Sequence, residues 1–236
     1  DLEVKGAAMP EAILFDVFGT VVDWRSGVAA EVRRALPRID AEAFADAWRA
    51  KYQPAMEAVR SGRRGYVALD VLHRENLDAT LAEFGADLDA AGRAALNHAW
   101  EKLPPWPDAV PGLARLKARF IVAPCSNGSI ALTTRLAKFG GLPWDCVLGA
   151  DVAGAYKPDP RAYLGSAAAL GLPPERVMMA AAHNADLAAA RACGLRTAFL
   201  PRPAEHGPGR AGDLAPSEAW DVVAADVADL EARLGA

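Results

Sequence analysis

Residues 108–200 alternate between helical and strand-like patterns, and this alternation limits the possible folds more than any other feature. Apolar residues recur at helical spacing in four segments, residues 108–119, 129–139, 160–170 and 184–193. Short apolar runs lie between and after these segments: FIVAPCS, CVLGA, RVMMAAA and RTAFL. Such alternation predicts a parallel sheet with helices on both faces.

A further strand-like run, AILFDVF at residues 12–18, is separated from the others by a long helical segment. Between about residues 26 and 102, stretches such as AEAFADAWRAKYQPAMEAVRSG place apolar residues three and four positions apart. The simplest interpretation is an α/β core with an all-helical domain inserted after its first strand. We assign residues 9–22 and 108–236 to the core and residues 23–107 to the inserted domain.

Two segments fall outside this regular pattern. Residues 1–8 precede a Met-Pro pair that resembles a natural start, so we interpret them as an added leader. Residues 202–220, RPAEHGPGRAGDLAPSEAW, are rich in glycine and proline and predict a surface loop.

Composition narrows the function classes. The chain has 236 residues, of which 52% are hydrophobic, enough to bury a core and a smaller companion domain. A net charge of −4 without a long basic run argues against binding to nucleic acid or an anionic membrane. No apolar run reaches the roughly 18 residues that span a bilayer. The three cysteines lack metal-type spacing, so we expect reduced thiols and a cytoplasmic protein.

Polar residues follow four of the predicted strands. They are Asp16, then Ser126 and Asn127, then Lys157, and finally His183, Asn184 and Asp186. Each group alone also fits a turn or a helix cap. Because the carboxyl ends of parallel strands share one edge of a sheet, where ligands bind, we expect these side chains to form a site together.

The motifs DVFGT, SNG, KPDPRAY and HNADL…GLRTAF resemble those of the haloacid dehalogenase superfamily, and within it the type II 2-haloacid dehalogenases. The resemblance extends from about residue 10 to residue 234. It implies a Rossmann-like core of the haloacid dehalogenase fold, with the inserted helices as a cap domain. It also implies that Asp16 is the nucleophile.

Two positions favour carbon–halogen cleavage over phosphate hydrolysis. Phosphatases that resemble this chain carry a second aspartate two positions after the nucleophile, where this chain has Phe18, which cannot transfer a proton. They also hold Mg²⁺ with paired acids after the fourth strand, where this chain has only Asp186. Departing halide needs no proton, so we expect neither a metal nor another cofactor. A phosphatase, or a silent member that binds an anion or a protein, are the alternatives.

The resemblance implies attack by Asp16 on C2 of a short 2-haloacid, such as haloacetate or L-2-halopropionate, followed by hydrolysis of the ester to the 2-hydroxy acid. Lys157 would keep Asp16 ionised, and Asp186 would balance Lys157 and orient the hydrolytic water. Thr20 and Ser126 would offer hydroxyl hydrogen bonds to Asp16 or to the substrate carboxylate.

The substrate and halide would be held by residues from both domains. Tyr163 and Phe18 would line the site, and Asn127 would donate its amide to the halide. From the cap, Arg60 is the expected halide-binding cation, with Arg49, Arg63 and Arg64 as competitors. Trp106 either shapes the pocket mouth or packs at the hinge.

The fourth motif departs from the best-known dehalogenases, which carry serine and asparagine where this chain has Ala181 and His183. Neutral His183 could accept a proton from the hydrolytic water, or it could fix Asp186 structurally. Asn184 could instead fill the asparagine role after a shift of one residue. The preferred halogen, the substrate length and the formation of a homodimer through the cap helices are left open.

Overall fold

A computed structural model describes residues 9–210 and 212–235, so the proposed leader at residues 1–8 lies outside the described residues. Within these ranges, six parallel strands form one sheet in the order β3-β2-β1-β4-β5-β6. They are β1 (Ala12–Phe15), β2 (Ile121–Ser126), β3 (Leu148–Gly149), β4 (Val177–Ala181), β5 (Arg196–Phe199) and β6 (Val222–Val223). The predicted parallel sheet is confirmed.

Helices cover both faces of the sheet, also as predicted. They are α6 (Ala109–Leu116), α7 (Ile130–Gly140), α8 (Ala150–Ala153), α9 (Pro160–Ala169), α10 (Asn184–Ala192) and α11 (Val227–Gly235). Strand β1 is fully buried, and its alternate side chains belong to two separate apolar clusters. Ile13 and Phe15 share a cluster with α6, α7 and α11, whereas Leu14 packs with α9 and α10.

Five helices lie between β1 and α6 in the described chain: α1 (Trp24–Ala35), α2 (Ala41–Ala50), α3 (Tyr52–Arg60), α4 (Leu69–Glu83) and α5 (Ala90–Asn97). A 3₁₀ turn at His98–Glu101 follows them. Aspartates cap the N-termini of α1, α2 and α5 by accepting backbone N–H bonds. The chain enters and leaves this segment side by side, since Val22 pairs with Pro105. The boundaries of the proposed cap domain remain a prediction.

Three elements differ from the sequence analysis. Strand β3 has only two residues, because the chain turns into α8 at Ala150. Strand β6 and helix α11 were not predicted; β6 is too short for alternation to reveal. Described residues between 202 and 220 contain neither helix nor strand, as expected.

None of the helices in the described part of the chain is long and apolar enough to cross a membrane. Cys125, Cys146 and Cys193 are all free thiols, and burial raises the pKa of Cys125 to about 11.

Candidate active site

Asp16 directly follows the central strand β1, between the ends of β2 and β4. Its side chain is nearly buried, with 12% of its surface exposed. One carboxylate oxygen, Oδ1, accepts a hydrogen bond from Lys157 Nζ at 3.0 Å. The other, Oδ2, accepts one from the Thr20 hydroxyl at 2.8 Å, and Thr20 Oγ1 accepts the Ala182 N–H at 2.9 Å. The sheet, the turn after β1 and the end of β4 therefore hold the carboxylate in one orientation.

Lys157 joins two carboxylates. Besides Asp16, its Nζ donates to Asp186 Oδ2 at 2.6 Å, and Asp186 Oδ1 accepts the Tyr163 hydroxyl at 2.5 Å. The backbone N–H of Lys157 donates to Asn127 Oδ1 at 2.7 Å. The structure thus brings together residues from the motifs after β1, β2, β3 and β4.

Charge decides the protonation state of this cluster. Burial alone would raise the pKa of Asp16, but the charge of Lys157 and the hydrogen bonds from His183 and Thr20 outweigh it and hold the pKa well below its usual range. Burial likewise opposes the charge on Lys157, but Asp16 and Asp186 raise its pKa well above normal. Asp16 is therefore an ionised carboxylate at neutral pH.

His183 lies between two carboxylates. Its Nδ1 is 3.0 Å from Asp16 Oδ2, and its Nε2 is 2.9 Å from Glu205 Oε2. Burial opposes the charged imidazole, but the hydrogen bonds to Asp16 and Glu205 raise its pKa to about 10. His183 is also the N-cap residue of α10, but its side chain makes no capping bond. Its ring nitrogens make no hydrogen bond to Asp186, the structural partner considered for it, and lie instead against Asp16 and Glu205.

Sequence reasoning missed Glu205. This residue lies in the segment predicted to be a surface loop, yet only 4% of its side chain is exposed. No motif or periodicity marks it, because its contact with His183 depends on the path of an irregular segment.

A cavity of about 450 Å³ opens onto these groups. Residues from the core and from helices α2 and α3 line it: Asp16, Phe18, Arg49, Tyr52, Gln53, Glu57, Arg60, Asn127, Lys157, Pro158, Tyr163, His183, Ala185 and Asp186. Carboxylate and imidazole groups lie at its core end and two arginines at its helical end. The cavity can therefore place a small anion against Asp16.

The model of the haloacid dehalogenase-like hydrolase family matches residues 10–194 of the chain. The chain belongs to this family. The matched range includes β1 with Asp16, the helical segment, Lys157 and the HNADL part of the fourth motif.

Individual haloacid dehalogenases are similar to this chain in sequence and in structure. The chain is 30% identical to (S)-2-haloacid dehalogenase from Xanthobacter autotrophicus, over 88% of this chain and 83% of that protein. It is 53% identical to the defluorinating L-2-haloacid dehalogenase Rha0230, whose crystal structure superposes with a TM-score of 0.94 over 96% of each chain. The X. autotrophicus enzyme with chloropropionic acid covalently bound is 27% identical, with a TM-score of 0.82 over 96% of this chain and 99% of that one.

The four arginines considered for halide binding have different surroundings in the structure. Arg60 lines the cavity, but its guanidinium already donates hydrogen bonds to three residues. They include those to Glu57 Oε2 at 2.9 Å, to the Gln53 side-chain oxygen at 3.2 Å and to the Lys157 carbonyl at 3.1 Å. Arg64 is paired with Glu75 outside the cavity, and Arg63 does not line it.

Arg49 is held differently. Its guanidinium carbon lies 3.9 Å from the centre of the Tyr52 ring, and within 6 Å of the rings of Trp24, Phe18 and Trp100. Its Nη1 is buried and finds no hydrogen-bond partner among the described residues. A buried guanidinium nitrogen without a hydrogen-bond partner favours an anion beside it, so Arg49 is a candidate anion-binding residue alongside Arg60.

Four predicted site residues lie or point elsewhere. Ser126 Oγ accepts the Gly128 N–H at 3.0 Å and does not line the cavity. The amide of Asn184 binds the 213–220 segment, where it donates to the Ala215 carbonyl. Trp106 donates to the Gly19 carbonyl, which is the hinge-packing alternative rather than the pocket mouth. Asn127 does line the cavity, but its NH₂ group donates to the Tyr52 hydroxyl at 3.1 Å.

Proposed function

We propose that the protein is a hydrolytic dehalogenase that converts short 2-haloalkanoic acids, such as haloacetate and L-2-halopropionate, to 2-hydroxy acids and halide. The relatives named above are 2-haloacid dehalogenases, which supports the reaction class. The observation that carries the proposal is that one small cavity is lined both by ionised Asp16 and by Arg49, whose Nη1 has no hydrogen-bond partner in the described part of the chain.

The first half-reaction follows from that arrangement. A carboxylate oxygen of Asp16 attacks C2, the carbon–halogen bond breaks, and the halide leaves toward Arg49, opposite the attacking oxygen. In-line displacement inverts the configuration at C2. Lys157 and Thr20 keep the attacking carboxylate ionised and oriented.

The local donors do not favour the phosphatase alternative. Protonation of a leaving alkoxide needs an acid near the nucleophile, and Phe18 lies at the usual position. Within the described chain, no group of three or more His, Cys, Asp or Glu side chains is arranged to hold a metal ion. The Lys157 ammonium lies 3.0 Å from Asp16, where a second cation would be repelled.

Chloride release tests the proposal directly. EDTA-treated protein is incubated with L-2-chloropropionate and chloroacetate, beside an Asp16→Asn variant. We expect the wild-type protein to release chloride at the same rate with and without EDTA treatment, and Asp16→Asn to release none. Absence of chloride release together with Mg²⁺-dependent hydrolysis of a phosphate ester would overturn it. Because Rha0230 is described as defluorinating, fluoroacetate and fluoride detection are included.

The cellular and quaternary setting belongs to the same proposal. A cytoplasmic location, and a homodimer formed through the helical segment, remain predictions that rest on the sequence alone. The net charge of −4 supports the expectation of no nucleic-acid partner.

A further inference from the structure

Glu205 is a buried carboxylate that the first half-reaction does not use. Its two oxygens lie 3.0 and 2.9 Å from His183 Nε2, and Oε1 also accepts the Trp24 indole N–H at 3.3 Å. His206 Nε2 lies 3.6 Å away on the other side. The carboxylate is therefore fixed against one ring nitrogen of His183.

Gly19 permits this approach. A Cβ built on Gly19 would lie 2.1 Å from Glu205 Oε1, a distance that no side chain could tolerate. The turn that orients Asp16 and Thr20 thus also makes room for the second carboxylate. The contact is built into the first motif and is not a chance surface pair.

The imidazole connects this carboxylate to the nucleophile. With Nε2 held by Glu205, the other nitrogen, Nδ1, faces Asp16 Oδ2 at 3.0 Å. The side chain is 30% exposed and lines the cavity, so the ring can exchange protons with water there. The charged groups around it are Asp16 and Glu205 in direct contact, with Lys157 beyond Asp16.

We propose that His183 and Glu205 form a proton-accepting pair for hydrolysis of the Asp16 ester, and that formation of the ester switches this pair on. The inference rests on the proposed function. In the free enzyme the imidazole is cationic because two carboxylates flank it. Alkylation of Asp16 removes one of those charges, which favours loss of the Nδ1 proton to the solvent. The Nε2 proton stays on the imidazole because it is hydrogen-bonded to Glu205. The neutral ring therefore has an unprotonated Nδ1, which faces the ester.

The proton count closes over one turnover. Neutral His183 takes a proton from water as the hydroxyl adds to the ester carbonyl carbon of Asp16. When the carbon–oxygen ester bond breaks, the imidazolium protonates the departing alkoxide to give the 2-hydroxy acid. The carboxylic acid left on Asp16 returns its proton to His183. The net reaction consumes the haloacid and water and releases the hydroxy acid, halide and the proton lost after alkylation.

Asp186 is the competing base in the same cavity. Both of its oxygens already accept hydrogen bonds, from Lys157 at 2.6 Å and from Tyr163 at 2.5 Å. Taking a further proton would weaken its pairing with Lys157. His183 Nδ1, in contrast, no longer faces a negative charge once the ester forms. The geometry therefore assigns proton acceptance to His183 and a positioning role to Glu205.

Rapid-quench measurements with L-2-chloropropionate test the pair. We expect Glu205→Gln and His183→Ala to release about one equivalent of chloride per enzyme at close to the wild-type rate, then to turn over at least about tenfold more slowly. Mass spectrometry should show the ester accumulating on Asp16. Glu205→Asp should recover part of the turnover. Glu83→Gln and His98→Ala, at two exposed side chains away from the cavity, are matched controls.

A second measurement does not depend on turnover. Asp16→Asn removes the same charge that the ester removes, so NMR titration of His183 should give a pKa at least one unit lower in this variant than in the wild type. An unchanged titration, or Glu205→Gln turning over at the wild-type rate without accumulated ester, would contradict the proposal. If the wild type itself shows no chloride burst, the dehalogenase assignment fails instead.

Discussion

The guanidinium of Arg49 stacks on the ring of Tyr52, with 3.9 Å between the guanidinium carbon and the ring centre. Tyr52 in turn accepts a hydrogen bond from Asn127, which also accepts the backbone N–H of Lys157. One short chain of contacts therefore links Arg49 of the helical segment to Lys157, which holds the carboxylate of Asp16. The end of the cavity opposite Asp16 is positioned by the core and the helices together.

This arrangement predicts different losses for two arginines. Arg49→Ala should reduce the chloride-release rate by about 10²–10³-fold, because it removes a desolvated donor from the position where halide charge develops. Arg60→Ala should reduce the chloride-release rate by a smaller factor, because its guanidinium already donates hydrogen bonds to Glu57, Gln53 and the Lys157 carbonyl. Arg64→Ala, at a pair outside the cavity, is the control. A larger loss for Arg60→Ala than for Arg49→Ala would restore the expectation from the sequence.

Removal of Lys157 should affect both stability and the pH dependence of activity. Lys157→Met leaves Asp16 and Asp186 buried without their cation, which should lower the free energy of unfolding by about 3–5 kcal/mol. Without the lysine, the pKa of Asp16 rises, so residual chloride release should require a higher pH. Urea unfolding and a pH–rate profile measure the two effects. Lys117→Met, at an exposed pair, should cost less than about 1 kcal/mol.

Two glycines with positive φ separate backbone strain from the Glu205 contact. Gly62 has φ of +75° and open space around it, so Gly62→Ala should cost about 1–2 kcal/mol. Gly19 has φ of +91° and lies against Glu205. Gly19→Ala should therefore lower the free energy of unfolding by about 1–3 kcal/mol more than Gly62→Ala does, because the added Cβ overpacks this contact. It should also accumulate ester on Asp16. Equal destabilisation of the two variants in urea unfolding would mean that the close approach of Glu205 is not maintained.

The two carboxylates around His183 predict a pH-dependent stability. Folding raises its pKa from 6.5 to about 10, so the folded state binds this proton more tightly than the unfolded state. The resulting stabilisation is complete below pH 6.5 and is lost progressively as the pH rises toward 10. The difference in unfolding free energy between wild type and His183→Ala should therefore shrink over this interval. A difference that stays constant from pH 6 to pH 10 would be inconsistent with the ion-paired imidazolium.

Much of the fold was predictable because it depends on local patterns. Buried strands and amphipathic helices have periodicities that neighbouring residues reveal, so β1, β2, β4 and β5 were predicted with small errors at their ends. Strand β6, with two residues, and the early turn of β3 into α8 leave no periodic signal.

The site divides in the same way. Asp16, Lys157 and Asp186 follow strands or sit in motifs, and the shared edge of a parallel sheet brings such residues together whatever the details of the loops. The sequence by itself therefore determined the core and the grouping of Asp16, Lys157 and Asp186 at one edge of the sheet. Only the tertiary structure decided that Arg49 Nη1 is buried without a hydrogen-bond partner among the described residues, that Asn184 and Ser126 face elsewhere, and that Glu205 holds His183. Those contacts depend on helix orientation and on the path of an irregular segment, which packing between distant parts of the chain sets and which no local pattern encodes.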